Sequence, residues 1–219
     1  MSDVFFEEMQ IPHPKYNLNI HEENHGVMTG RMINEIEKVT IKENPDWAIV
    51  FGDTNSTLAG ALVANKLNIK LAHIEAGMRS FNHNMPEEVN RIETDKISDI
   101  LVAPTAVAVE NLENEGIYGA FLTGDVMHDN TLHFSKGGEI KDQILLTMHR
   151  PSNVDDPSRA ISWLKEIGGW AQLRNFEVIF PVHPRTLRSI EDGLGSGWRE
   201  NLADWGIVAE EPVGYVKLL

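Results

Sequence analysis

The chain has 219 residues, with 33 Asp and Glu against 19 Lys and Arg, so its formal net charge is −14. Such an acidic chain argues against nucleic acid or an anionic membrane surface as a partner. The lack of cysteine excludes disulfides, thiolate zinc sites and a cysteine nucleophile. No apolar run approaches the roughly 18 to 20 residues of a transmembrane helix. The N-terminus does not resemble a signal peptide, and we expect a soluble, cytoplasmic protein.

Short apolar runs alternate along the chain with longer amphipathic stretches, which is typical of βαβ units and a mostly parallel sheet. The predicted strands are 47–51, 70–74, 100–103, 120–123, 144–148, 177–182 and 207–209. Apolar residues at helical spacing predict a long helix before Pro45 and further helices over 57–67, 87–98, 105–115 and 158–173. The sequence therefore predicts an α/β fold.

A break in the periodic pattern divides the chain into two parts. Residues 134–142 (FSKGGEIKD) place two glycines among charged residues between two periodic regions. We predict a first lobe over 1–136 and a smaller second lobe over 137–219. In such an architecture a ligand is expected beyond the carboxyl ends of the strands, often between lobes.

Polar residues follow four of the predicted strands directly. Asp53 follows the first strand, Glu75 the second, His149 the fifth and His183 the sixth. Because the carboxyl ends of parallel strands share one edge of a sheet, these residues predict a convergent site.

Each of the acidic candidates also has a structural interpretation. Asp53 suits a helix cap or a turn. Glu75 continues an apolar strand, where a carboxylate must be paired or protonated, and Arg79 is a possible partner. Glu87 and Arg91 are four residues apart on one predicted helix, and the spacing alone favours a solvated surface pair over a site.

The two strand-end histidines are each followed by an arginine, Arg150 and Arg185. Guanidinium forks and imidazolium groups bind phosphates, so this pattern predicts an anion-binding edge. The other histidines show no spacing typical of metal ligands, and we expect no metal. The nucleotide-binding loops G-x-x-x-x-G-K-[ST] and G-x-G-x-x-G are absent from the sequence, as is the G-x-S-x-G nucleophile elbow. No cofactor is expected.

Six segments in order resemble the non-hydrolysing UDP-N-acetylglucosamine 2-epimerase family of bacteria and archaea. The segments are VFGDTNSTLAGALVA (50–64), AHIEAGMRS (72–80), MPEEVNRIETDKISD (85–99), LTGDVMHD (122–129), LLTMHRPSNVDD (145–156) and PVHPR (181–185). The resemblance implies two Rossmann-like lobes of the glycosyltransferase-B type with a UDP-sugar substrate. It also implies elimination of UDP across C1–C2 to a glycal and re-protonation at C2 from the other face, which interconverts UDP-GlcNAc and UDP-ManNAc.

The resemblance also implies roles for individual residues. The implied catalytic residues are Asp53, Glu75, Glu87 and His149. The implied substrate-binding residues are Arg79, Arg91, Arg150 and His183, and Arg31 resembles an arginine of a regulatory UDP-GlcNAc site.

Two departures from the family pattern bear on activity. The family's G-T-R-P-E and D-S-G-G-x-Q-E-E segments are not found in this sequence, and the loop after His149-Arg150 reads Pro-Ser-Asn where the family has a glutamate. We therefore expect two incomplete lobes, an exposed apolar edge at residues 47–51, and a truncated or split epimerase. The partner would be a second copy in a homodimer or a complementing chain.

Two alternatives to that function remain open. One is a hydrolysing epimerase, which releases UDP and free N-acetylmannosamine. The other is a non-catalytic UDP-sugar-binding or interaction module.

Overall fold

The computed structural model of the chain describes residues 6–22, 24–135 and 142–219. Backbone contacts divide it into two compact units. The first unit is residues 14–133, and the second unit consists of the described residues in 6–13 and 134–219. The predicted boundary between residues 136 and 137 falls outside the described part of the chain.

The first unit is built on a four-stranded parallel sheet of order β1-β2-β3-β4. The strands are β1 (Trp47–Phe51), β2 (Lys70–Ile74), β3 (Ile100–Ala103) and β4 (Phe121–Leu122). The helices are α1 (His25–Glu43), α2 (Asn55–Lys66), α3 (Pro86–Ile97), α4 (Ala106–Asn114) and α5 (Val126–Phe134), whose last residue belongs to the second unit. Small residues of α2, Ala61 and Ala64, pack with Val50 and Leu71 in the core and let the helix approach the sheet closely.

The second unit has a three-stranded parallel sheet of order β5-β6-β7. Its strands are β5 (Gln143–Leu145), β6 (Glu177–Pro181) and β7 (Ile207–Glu210). Its helices are α6 (Pro151–Val154), α7 (Pro157–Gln172), α8 (Pro184–Leu194), α9 (Trp198–Asp204) and α10 (Tyr215–Leu218), with a 3₁₀ turn at Gly195–Gly197. One continuous core includes the fully buried Phe180, Leu164 and Ile190.

These two parallel sheets confirm the predicted α/β class. All seven predicted strands are present, although β4 and β5 are shorter than expected because only residues 121–122 and 143–145 pair with a neighbouring strand. Thr105 caps the predicted helix α4, since its side chain accepts a hydrogen bond from the Ala108 N–H at 3.1 Å. Helices α5, α6, α8, α9 and α10 were not predicted.

Strand β1 lies at the edge of its sheet, as expected. Its alternate residues Trp47, Ile49 and Phe51 are 46%, 59% and 64% exposed, whereas Val50 on the opposite face is buried. One face of the edge strand is therefore both apolar and in contact with water, which is unusual for a sheet edge.

Candidate functional site

A group of acidic residues lies at the carboxyl ends of β1 and β2 in the first unit. The two strands pair in register with Phe51 opposite Ile74, so the segments carrying Asp53 and Glu75 leave the sheet side by side. Both turns need a left-handed backbone, at Gly52 with φ 63° and at Glu75 with φ 72°. A glutamate held in this region stores roughly 1–3 kcal/mol of strain, which is typical of functional positions.

Of the two strand-end carboxylates, Asp53 and Glu75, Glu75 has the fewer contacts that offset its negative charge. It is half-buried, and over the described residues its side chain has no hydrogen bond or ion pair. Burial raises its pKa above the usual 4.5, and the nearby charges of Asp125 and Asp53 raise the pKa further. A carboxyl group whose pKa is moved toward neutrality can take up and release a proton, as general acid–base catalysis requires.

Arg91 joins Asp53 to helix α3. Its Nη2 donates to Asp53 Oδ2, and its Nη1 lies 3.1 Å from Glu88. The Arg91 side chain is only 12% exposed. The expected surface pair between Arg91 and Glu87 is therefore wrong, because Arg91 is mostly buried and pairs with Asp53 and Glu88.

Glu88 is the residue that the sequence reading missed in this segment. It is 1% exposed, and its carboxylate accepts hydrogen bonds from Ser80 N and Oγ, both at 2.9 Å, and from Phe81 N at 2.8 Å. Burial alone would raise its pKa, but these bonds and Arg91 lower it below the usual 4.5. Glu88 fixes the loop at residues 80–81, and the adjacent Glu87 is left half-buried without a polar partner among the described residues.

Arg79 does not pair with Glu75. Its side chain is 1% exposed, and it donates to Asp95 Oδ2 at 2.8 Å and to both Glu115 oxygens at 2.7 Å. Burial opposes its charge, but these two carboxylates more than offset that and keep the pKa of Arg79 above its usual value. Its guanidinium thus joins α3 to the residue that follows α4, and the substrate-binding role that the resemblance implies for Arg79 stays a prediction.

Arg31 lies on α1, away from the strand ends in sequence, and forms an ion pair with Glu22. Its side chain is 59% exposed. The regulatory role that the resemblance implies for Arg31 stays a prediction.

The second unit carries the basic strand-end residues. The rings of His149 and His183 have their centroids 5.5 Å apart. His183 Nδ1 accepts the Arg185 backbone N–H at 3.1 Å and so caps α8. The ring therefore uses Nδ1 as an acceptor and presents Nε2–H as a donor.

The two arginines near these histidines differ. Arg185 forms a two-point ion pair with Asp155 at 2.7 and 2.9 Å, which raises the pKa of Arg185 and lowers that of Asp155. Arg150 is exposed, and its side chain makes no ion pair within the described ranges. Arg150 is thus the guanidinium that remains open to an anion.

Within residues 6–22, 24–135 and 142–219, no three His, Asp or Glu side chains are placed to hold a metal ion. No helix in those ranges combines the length and the apolar character that crossing a bilayer requires.

Comparisons with known proteins agree with one another. The family model described as UDP-N-acetylglucosamine 2-epimerase matches residues 1–219. The chain is 47% identical to a Pseudomonas aeruginosa UDP-2,3-diacetamido-2,3-dideoxy-D-glucuronate 2-epimerase, covering 100% of the chain and 62% of that protein. It is 44% identical to a Methanocaldococcus jannaschii UDP-N-acetylglucosamine 2-epimerase, again over 100% of the chain and 64% of the relative.

A solved structure of the Methanocaldococcus jannaschii UDP-GlcNAc 2-epimerase in complex with UDP-GlcNAc and UDP superposes with a TM-score of 0.83 at 44% identity. The match covers 99% of this chain and 63% of that one. The chain thus spans a little under two thirds of the length of the relatives that it matches.

Proposed function

The chain belongs to the UDP-N-acetylglucosamine 2-epimerase family, and from that premise we propose that it takes part in inverting C2 of a UDP-2-acetamido sugar. The proposed reaction interconverts UDP-GlcNAc and UDP-ManNAc. One observation carries the proposal: Asp53 and Glu75 leave adjacent strand ends together, and only Asp53 is neutralised by an arginine.

The chemistry requires a group that removes the C2 proton and a group that returns a proton to the opposite face. In the first step a carboxylate takes the proton from C2, the C1–O bond breaks with its electron pair leaving on UDP, and C1=C2 forms. The return step adds a proton to C2 and UDP to C1. Glu75, whose pKa is raised by burial and by neighbouring acids, fits one proton carrier. Asp53 and Glu87 are the candidates for the other.

The departing diphosphate needs donors and positive charge. The second unit, taken by itself, offers such groups at its strand ends. His183 presents Nε2–H because its Nδ1 is occupied by the α8 cap, and Arg150 is open to solvent. His149, whose ring lies beside that of His183, completes the set.

A second candidate substrate comes from the Pseudomonas aeruginosa relative, whose name gives a UDP-2,3-diacetamido uronate as its substrate. At 47% identity this relative is as similar to the chain as the UDP-GlcNAc epimerases are. We therefore propose C2 epimerisation of a UDP-2-acetamido sugar as the shared reaction, and a comparison of kcat/KM for the two substrates assigns the preference.

The test is proton NMR of UDP-GlcNAc incubated in D₂O with the chain. It is run with the chain alone and with separately expressed segments of the Methanocaldococcus jannaschii relative that cover the parts the chain does not span. Epimerisation is expected to give UDP-ManNAc with deuterium at C2, because the proton removed from C2 is replaced from solvent. E75Q is expected to abolish this exchange, and E93Q, at an exposed acid paired with Lys96, serves as its matched control.

Other products would identify the alternatives. Free N-acetylmannosamine as the main product would indicate the hydrolysing reaction. Saturable binding of UDP-GlcNAc with no exchange at C2 in the complemented sample would indicate a binding module and contradict the proposal.

A further inference from the structure

A buried histidine lies beneath the acidic strand ends. His73 belongs to β2 and its side chain is 0% exposed. Its Nε2 lies 2.8 Å from the carbonyl oxygen of Gly52, and its Nδ1 lies 2.7 Å from Asp95 Oδ1. Both ring nitrogens therefore face oxygen atoms, although a neutral imidazole has only one N–H to donate.

The partners fix where the protons lie. A carbonyl oxygen only accepts, so Nε2 carries a hydrogen. Asp95 Oδ2 already accepts from Arg79 Nη1 at 2.8 Å and Gly77 N at 3.1 Å, which favours the ionised carboxylate. An ionised Asp95 also only accepts, so Nδ1 carries a hydrogen as well.

The charges then balance within one buried network. His73 and Arg79 are the cations, and Asp95 and Glu115 are the anions. A buried charge is costly when alone, and here each one has a partner of the opposite sign. The network runs from the Gly52 carbonyl to Glu115, whose side chain is 31% exposed.

From this geometry we infer that His73 is a buried imidazolium that positions the turn carrying Asp53, by donating to the Gly52 carbonyl while Asp95 and Arg79 hold it from behind. The positioning part of this inference rests on the proposed function; the charge state does not. The turn passes close to the Glu75 carboxylate, since a Cβ at Gly52 would lie 3.1 Å from Glu75 Oε2. The hydrogen bond from His73 to the Gly52 carbonyl therefore acts on the turn that carries Asp53 past Glu75.

The charge on His73 also affects the acidic residues at the carboxyl ends of β1 and β2. The charged groups around this edge are Asp53 and Asp125, Glu75, Arg91, and the Asp95–Arg79 pair. The positive charge on His73 lowers the pKa of Glu75 against burial and the two aspartates. Removing that charge is therefore expected to raise the pKa of Glu75.

The charge state can be measured without any turnover. In ¹⁵N–¹H NMR of the full chain, His73 is expected to show two ring N–H groups, one donating to Gly52 and one to Asp95. D95N should remove the Nδ1 proton, and this change assigns the signals. One unprotonated ring nitrogen in the wild-type chain contradicts the inference.

Two variants separate the contacts of His73. The amide nitrogen of H73Q falls near Nε2 and keeps a donor for Gly52, whereas that of H73N falls near Nδ1 and keeps a donor for Asp95. H73N, but not H73Q, is expected to shift the backbone amide signals of residues 52–54. If both variants shift them equally, or neither does, His73 does not position this turn.

The complemented enzyme supplies the kinetic readout. H73N should lower kcat on the order of 10²-fold with little change in KM, since a misplaced catalytic group affects the chemical step. H73Q should retain most of kcat, and both variants should show the acidic limb of the pH–rate profile at higher pH than the wild type. Wild-type kcat in H73N contradicts the positioning role. Absence of turnover in every sample, wild type included, contradicts the proposed function and leaves the NMR result to decide this inference.

Discussion

Arg91, on helix α3, donates from Nη2 to Oδ2 of Asp53, a residue 38 positions earlier at the end of β1. Its Nη1 meanwhile lies 3.1 Å from the buried carboxylate of Glu88. One guanidinium thus connects a strand end to the first turn of a helix, and the position of Asp53 depends on both.

Replacing Arg91 by lysine tests that connection. A lysine ammonium cannot reproduce the two-point geometry of a guanidinium, so R91K should lower kcat on the order of 10²-fold. It should also destabilise the fold by about 1–3 kcal/mol by leaving a buried carboxylate short of a donor. Steady-state kinetics and urea unfolding measure the two effects. R199K, at an exposed arginine paired with Glu211, is the control and should stay within about 0.5 kcal/mol of wild type.

The adjacent glutamates Glu87 and Glu88 should respond in opposite ways. E88Q should cost about 1–3 kcal/mol, because a charged acceptor of three hydrogen bonds becomes a neutral amide. E87Q should fold normally but lose turnover. If E87Q proves the less stable of the two, the division between a structural and a catalytic glutamate is wrong.

Glu88 also predicts how stability depends on pH. Its folded-state pKa lies below the usual 4.5, so its stabilising effect is complete above that value and is lost as pH falls through the folded pKa. The difference in unfolding free energy between wild type and E88Q should therefore shrink on acidification. A difference that grows toward low pH would contradict a lowered pKa of Glu88 in the folded state.

Glu75 should have the opposite linkage. Its folded-state pKa is raised, so the folded protein binds this proton more tightly than the unfolded chain, and the ionised form destabilises the fold at neutral pH. E75Q should therefore raise the unfolding free energy at neutral pH while abolishing turnover. E75G should also relieve the positive φ, and comparing the two variants by thermal unfolding separates charge from backbone strain.

Gly77 and Gly116 form a matched pair of left-handed glycines, with φ of 79° and 78°. A Cβ at Gly77 would lie 2.2 Å from the Ala108 carbonyl oxygen, whereas one at Gly116 would meet nothing within 4 Å. G116A should cost about 1 kcal/mol for the backbone alone, and G77A should cost at least about 3 kcal/mol. Equal losses in urea unfolding would mean that the contact with α4 relaxes freely.

His183 combines a cap with a free ring nitrogen, and two variants separate the roles. H183N keeps a capping side chain and should retain stability, while H183A should lose about 1 kcal/mol. Both should weaken UDP binding about tenfold, a loss of about 1.4 kcal/mol, if Nε2–H donates to the ligand. Calorimetric titration with UDP measures this, and unchanged affinity in H183N would remove His183 from the site.

The strands could be predicted because buried parallel strands are short apolar runs that end in turn residues. Asp53 and Glu75 were identified for the same reason, since each directly follows such a run. Their partners could not be identified this way. Asp53 meets Arg91 only because α3 packs near the end of β1, and no local spacing encodes that contact.

Helical spacing misled in one segment. Residues i and i+4 share a helix face, which paired Glu87 with Arg91, yet the i+3 partner Glu88 is the one that Arg91 contacts. His73 carried a usable signal, because a histidine inside an apolar strand must find polar partners once buried. Those partners can be identified only from the folded structure.

The apolar outer face of β1 gives the first unit a response to temperature. The side chains of Trp47, Ile49 and Phe51 are exposed to water. The free-energy cost of that exposure rises on warming, because hydrophobic association weakens in the cold and strengthens toward physiological temperature. Any partner that binds this apolar face is therefore expected to bind more tightly at physiological temperature than in the cold. At low temperature and low protein concentration, the chain is therefore expected to associate least through this face.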